Sequence, residues 1–411
     1  MSWTRRRASL GIAAWLGALM AAGCGDERAL VLRLETEAVA EASLCLTAFD
    51  RELLFSERYA AAEAIGTLTF LAGDRTDETL RVAARLRRGG RVLAQAAGEG
   101  RFGAGGSSEL RLRVARCAEA TALPETPLGT AAGATGVFAA DTDGDGRDEL
   151  WLSHPEGVRV LGGSASSATR VLAVGDSNDD CLDDVLVGDT TGLLALPRGE
   201  RLTAAAELAV LADAGRGLGL ATGDADGLRW GLLDGVMRSL TGQPVRDLGA
   251  ADLDGDGDDD LVAVGEGGVT VFLGGPAGPV AAVGAAPTGW AGQRLALLDL
   301  DGDGLDDLAI ADETRVRMAR NRGDGLFEAR DELAIEGVRA LRVLDVDGDC
   351  RDDLVVVADE AQIHHGGEDA RVTAGSALGA LVDVVAADVD GDGRRELVLL
   401  DAEGQVRTWS E

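Results

Sequence analysis

Asp252-Leu-Asp254-Gly-Asp256-Gly-Asp258-Asp-Asp260, running straight into Leu261-Val-Ala-Val264, is the stretch whose reading decides the fold. It offers oxygen ligands at positions 1, 3, 5 and 9 of a short loop, with the main-chain carbonyl of position 7 as a further donor. That spacing suits a hard cation such as calcium, which takes six to eight oxygens. Five more copies occur. Positions 1, 3, 5, 7 and 9 are Asp141, Asp143, Asp145, Arg147 and Glu149 in the first, and Asp176, Asn178, Asp180, Leu182 and Asp184 in the second. They are Asp299, Asp301, Asp303, Leu305 and Asp307 in the fourth, and Asp345, Asp347, Asp349, Arg351 and Asp353 in the fifth. The sixth has Asp388, Asp390, Asp392, Arg394 and Glu396. Together the six stretches hold 30 of the 71 acidic residues, a density that would be strongly self-repelling without a cation.

An EF-hand would need a bidentate Glu at position 12 and flanking helices. Position 12 is instead Leu152, Val187, Ala263, Ile310, Val356 or Leu399, within short apolar runs such as Leu354-Val-Val-Val357 that read as buried strands. Runs before the loops, such as Val171-Leu-Ala-Val174, read likewise, so each loop joins two inner strands. The one long gap holds Asp224-Ala-Asp226-Gly, read as a degenerate copy that has lost its metal loop and kept a turn at Asp234-Gly235. Seven units of roughly 40 residues then predict propeller blades of four strands each. An acidic turn, such as Glu156-Gly157, Glu266-Gly267 or Glu403-Gly404, follows each first aspartate of the six copies. The last unit is one strand short, and an open ring would expose sheet edges, so the segment around Leu123 to Ala132 is expected to supply the missing outer strand.

The six loops, with Asn321-Arg-Gly323-Asp-Gly325-Leu-Phe327 after one of them, resemble the FG-GAP/VCBS repeat family, the calcium-loop propellers that include the head of integrin α subunits. The resemblance covers about residues 125 to 411, although the Phe-Gly and Gly-Ala-Pro elements are largely missing. It implies an all-β, seven-bladed β-propeller holding about six Ca²⁺ and used for adhesion or protein contact. In that family the metal loops lie on one face and partners dock on the other.

Outside the repeats, residues 28–117 alternate apolar and polar positions in runs such as Leu30-Val-Leu-Arg-Leu34 and Leu110-Arg-Leu-Arg-Val114, which predicts a small β-sandwich. Arg5-Arg-Arg7 before an apolar run that ends at Leu19-Met-Ala21-Ala22-Gly23-Cys24 resembles a lipoprotein signal peptide, which would leave Cys24 lipidated at the outer membrane. Ordinary cleavage to a soluble secreted protein is the competing reading. The expected organisation is a signal peptide over 1–23, a sandwich-like stalk over 24–118 and the propeller over 119–411. In an oxidising compartment Cys45 and Cys117, near the two ends of the stalk, are expected to pair. Cys181 and Cys350 share position six in blades two and six, too far apart across a ring to bond, and are read as small loop-filling thiols.

The net charge of −32, with Arg as the only basic side chain besides histidine, excludes nucleic acid as a partner. Three His (His154, His364, His365), one Tyr and no Lys, without a nucleophile elbow or phosphate loop, argue against an enzyme. The expectation is a membrane-anchored, non-catalytic module that binds a protein or a surface polymer. A purely structural calcium-stabilised scaffold and a polysaccharide hydrolase or lyase are the alternatives.

Overall fold

The computed structural model describes residues 28–36, 42–60, 67–71, 79–88, 91–102, 107–114, 125–163, 165–166, 168, 170–189, 192–203, 206–214, 217–233, 235–347, 349, 351–359, 361–366, 372–374 and 380–409. The expected signal peptide, Cys24, Cys117, Asp234 and Cys350 lie outside them.

Seven strands form the N-terminal unit: β1 (Ala29–Thr36), β2 (Ser43–Asp50), β3 (Glu52–Ala60), β4 (Thr67–Leu71), β5 (Thr79–Arg88), β6 (Arg91–Arg101) and β7 (Ser107–Val114). They make two sheets, ordered β4-β1-β7 and β3-β2-β5-β6. Because side chains alternate along a strand, one set from each sheet turns inward. Leu30, Leu32 and Leu34 of β1 meet Leu44, Leu46 and Ala48 of β2, and Phe55 and Phe70 meet edge to face at 5.8 Å. Each fully buried leucine contributes roughly 1.5–3 kcal/mol. The period-2 runs therefore build the expected sandwich, with β1 and β7 parallel.

The remaining strands form seven four-stranded antiparallel sheets, called blades here. Their first strands are Gly136–Ala140, Arg170–Gly175, Leu208–Asp213, Asp247–Ala251, Arg294–Leu298, Ala340–Leu344 and Leu381–Ala387. Each of these lies against the next, and Leu381–Ala387 lies against Gly136–Ala140, so the sheets are arranged as a propeller. Second strands such as Asp260–Gly265, Asp307–Ala311 and Asp353–Val357 are buried along their whole length, which explains their continuous apolar runs. Blade seven has three strands of its own, and β8 (Pro127–Thr130) lies beside Gln405–Trp409 as the fourth, pairing Thr130 with Gln405. The Thr408 N–H donates to the Thr126 carbonyl at 3.0 Å.

Blade three corrects one expectation. Asp224 ends its second strand and pairs with Gly227 at the start of the third, so Asp224-Ala-Asp226-Gly227 is the counterpart of the acidic turns. The connection between its first and second strands, from Asp213 to Leu218, is too short for a nine-residue loop. Asp224 is thus a hairpin turn between the second and third strands and not the start of a loop between the first and second.

Candidate metal centres

The loops share much of one hydrogen-bond scheme. In the first, fourth and sixth the position 1 carboxylate accepts main-chain N–H groups from positions 4 and 6: Asp141 from Gly144 at 2.7 Å and Gly146 at 3.0 Å, Asp299 from Gly302 at 2.8 Å and Gly304 at 2.9 Å, Asp388 from Gly391 at 2.6 Å and Gly393 at 2.9 Å. This wrap requires positive φ at positions 4 and 6, which Gly144 and Gly146 adopt at 82° and 83°. In the second loop Asp179 and Cys181 take φ of 60° and 70° at those places. Position 9 accepts the N–H of position 2: Glu149 from Thr142, Asp184 from Ser177, Asp260 from Leu253, Asp353 from Val346 and Glu396 from Val389. The position 7 peptides of Arg147, Leu182, Asp258, Leu305, Arg351 and Arg394 are fixed by donation to the side chain at position 5, respectively Asp145, Asp180, Asp256, Asp303, Asp349 and Asp392.

These bonds gather the expected ligands. Asp141, Asp143, Asp145 and Glu149 bring one oxygen each within 4.8 Å of the others, as do Asp252, Asp254 and Asp260, and Asp299, Asp301 and Asp303. Such clusters could hold a metal ion, and an all-oxygen donor set fits a hard one. Burial and mutual repulsion push Asp260, Asp307 and Asp388 up to about 7, and burial does the same to Glu149 and Glu396. Asp141 is pushed up to about 6 by burial, with Arg85 beside it holding it down. The second loop is the poorest candidate. The Asn178 amide donates to Asp184 at 3.0 Å, and Arg198 pairs with Asp180.

Position 8 has a role that ligand spacing does not reveal. The Asp183 N–H donates to the Asp141 carbonyl at 3.0 Å, and the Asp183 carboxylate accepts the Asp141 N–H at 3.1 Å. Asp259 makes the same reciprocal pair with Asp213, and Asp148 with Asp388; Asp352 accepts the Asp299 N–H. Each of these aspartates clamps its blade to the one before it, including blade one to blade seven.

The sandwich sits on this loop face over blades seven, one and two. Arg85 of β5 pairs with Asp141 and reaches Asp148 at 3.3 Å, while Arg87 meets Asp183 at 2.7 Å, all with side chains at most 7% exposed. Thr47 donates to the Gly144 carbonyl at 2.9 Å, Gln95 to Asp388 at 3.3 Å, and Arg81 to the Gly391 carbonyl. Cys45 of β2 is bonded to Cys181, with a Cα–Cα distance of 5.3 Å. The expected Cys45–Cys117 bridge is therefore replaced, because docking carries the outer face of β2 onto the second loop. Cys181 is correspondingly not a loop-filling thiol, and the unit is less a stalk than a cap. The loops of blades four, five and six stay open, with Asp256, Asp303 and Asp349 exposed. Trp290 is half-buried in the core between blades four and five, with the Arg317 guanidinium 5.9 Å from its ring centre.

Residues 252–310 and 299–356 match the FG-GAP-like repeat, and the chain carries these repeats there. A search of curated proteins gives no match. Among solved structures, the crystal structure of BBS1N in complex with ARL6DN aligns with a TM-score of 0.50 at 13% identity, over 71% of this chain and 96% of that one. An Agrocybe aegerita lectin that recognises non-reducing terminal N-acetylglucosamine aligns with a TM-score of 0.45 at 20% identity, over 67% and 85%. The extracellular domain of the hybrid two-component system BT4673 from B. thetaiotaomicron aligns with a TM-score of 0.47 at 13% identity, over 69% of this chain and 39% of that one.

Proposed function

We propose that this FG-GAP-repeat propeller is a calcium-loaded, non-catalytic binding module, held at the outer membrane by a lipid on Cys24 and docking a protein or surface polymer. The observation that carries the reading is the division of the loop face. Oxygen-only clusters at Asp252, Asp254 and Asp260 and at Asp299, Asp301 and Asp303 remain open to solvent, while the sandwich covers the loops of blades seven, one and two. Calcium in the open loops would hold their bends without closing the ring's opposite end, where the turns between second and third strands gather. BBS1N, of similar fold, is in complex with a protein partner, which supports protein binding.

The turn face is less acidic than its sequence suggests. Arg246 meets Glu266 and Arg339 meets Asp359, each at 2.8 Å, so the partner meets mixed charge there. Pull-down from an outer-membrane extract, run with calcium and with chelator, tests the reading. Calcium-dependent capture of a discrete partner is expected, and capture in neither condition would leave the scaffold alternative standing. Turnover on a polysaccharide panel would overturn the non-catalytic reading. Lipid labelling that survives Cys24→Ala would overturn the anchor.

A further inference from the structure

We infer that Asp347 and Asp353 of the blade-six loop form, with His365, a mixed nitrogen–oxygen site for a borderline transition-metal ion such as Zn²⁺. The inference deepens the reading of the loops as cation sites and rests on it.

The strand ladders place one side chain opposite position 9 of each open loop. Leu261 pairs with Phe272, Leu308 with Ala319 and Leu354 with His364. One step on, Asp260 faces Leu273, Asp307 faces Arg320 and Asp353 faces His365. Residues directly opposite on an antiparallel pair point to the same side of the sheet, so each of these side chains shares the position 9 carboxylate's side. The next N–H along, from Gly274, Asn321 or Gly366, donates to that carboxylate at 2.5, 2.7 and 2.9 Å. Beside position 9 the three hairpins therefore have one backbone frame, and the side chain that faces the carboxylate differs.

That side chain changes the chemistry. Leu273 adds no donor, so blade four keeps an oxygen-only set. Arg320 lies 2.7 Å from Asp301 and 3.0 Å from Asp303 and adds no ligand atom, so blade five also keeps an oxygen-only donor set. His365 places Nδ1 3.4 Å from both Asp347 and Asp353, with His365 5% and Asp353 0% exposed. The three ligand atoms lie within 4.8 Å of one another. Two ligands about 2.0–2.1 Å from a tetrahedral ion are separated by about 3.4 Å. The spacing also suits a larger ion, and the nitrogen decides between them. Calcium takes oxygens, whereas imidazole with carboxylates suits zinc and its neighbours.

Calorimetric titration of Zn²⁺ into the purified full chain, with excess Ca²⁺ present throughout, tests the assignment, and Co²⁺ absorption reports nitrogen coordination. One zinc equivalent that excess calcium does not displace is expected, lost in His365→Gln while the calcium stoichiometry of the other loops is unchanged. Asp347→Asn, at a half-buried position of the loop, should lose the same equivalent and serves if His365→Gln folds poorly. Absence of zinc binding in the parent protein, or an undiminished equivalent in both variants, overturns the inference. Histidine-dependent zinc binding in a protein that takes up no calcium would sink the calcium reading of the other loops and leave this one standing.

Discussion

Gly146 and Gly304 occupy the same position in loops of blades one and five, with φ of 83° and 88°, yet their surroundings differ. A Cβ on Gly146 would come within 2.9 Å of Ala83 in the sandwich, and one on Gly304 would meet nothing within 4 Å. Gly393 of blade seven is crowded in the same way by Ala96 and Ala97. One repeated motif thus serves two purposes. In blades seven, one and two the loops are an internal docking surface, neutralised from above by arginine and stapled by a disulfide. In blades four, five and six they stay at the surface, where an ion and its water can exchange. The loop motif itself is indifferent to this division; the partner laid over it makes the difference.

The largest expected effect tests what both halves share. Asp260, Asp307, Asp388, Glu149 and Glu396 sit near 7 when folded, well above their ordinary values. Without metal, the folded state therefore holds more protons than the unfolded chain between about pH 4 and 7. That contribution is fully present below the unfolded values and is lost as pH rises through about 7. In chelator, the melting temperature should fall from pH 5 to pH 8, and calcium at pH 8 should restore it. Asp183, held low by Arg87, has the opposite slope, but only below about pH 4. A melting temperature in chelator that climbs between pH 5 and 8 would break the claim that both halves are cation sites.

Next in size is the arginine latch. Arg85→Met leaves Asp141 and Asp148 buried without their cation, at a cost of about 3–5 kcal/mol in chemical unfolding. Arg320→Ala in the open half removes a half-exposed guanidinium and should leave unfolding unchanged. Equal effects from the two substitutions would erase the distinction between covered and open loops. The Cys45–Cys181 bond follows. Cys45→Ala with Cys181→Gly should cost about 2–4 kcal/mol by releasing a long loop in the unfolded chain. Glycine at φ of 70° returns about 1 kcal/mol of that. The double variant should also expose the first and second loops to faster amide exchange while leaving the fourth to sixth unaffected, which hydrogen exchange reads directly.

What the sequence discloses follows from the range of the interactions. The acidic loops and inner strands are local patterns, with carboxylates a few residues apart and apolar runs beside them, and the structure has the loops between inner strands as read. β8 was accessible from a count of strands in the last blade. The cap was not, because Arg85 and Asp141, or Cys45 and Cys181, are distant in the chain and no periodicity links them. A clue was present in the second loop, where Asp179 and Cys181 replace both turn glycines: residues that accept positive φ at a cost usually gain a contact by it. The position 8 clamps and the Leu273, Arg320 and His365 series needed the register between blades and strands. Asp224 misled because an acidic hairpin turn and the start of a metal loop share the same first four residue types.

The smallest effect is the most selective. Asp301 is a candidate ligand whose side chain otherwise meets only half-exposed arginines, Arg320 and Arg330, among the contacts described. At calcium about ten times the site's dissociation constant, occupancy of one loop stabilises the fold by about 1.4 kcal/mol. Asp301→Ala should remove that increment in calcium and change nothing in chelator, as read by paired unfolding curves. Asp148→Ala, which breaks a clamp and uncovers Arg85 under the cap, should destabilise in both conditions. If Asp301→Ala were equally costly with and without calcium, the open loops would be fastened by protein contacts rather than by an ion.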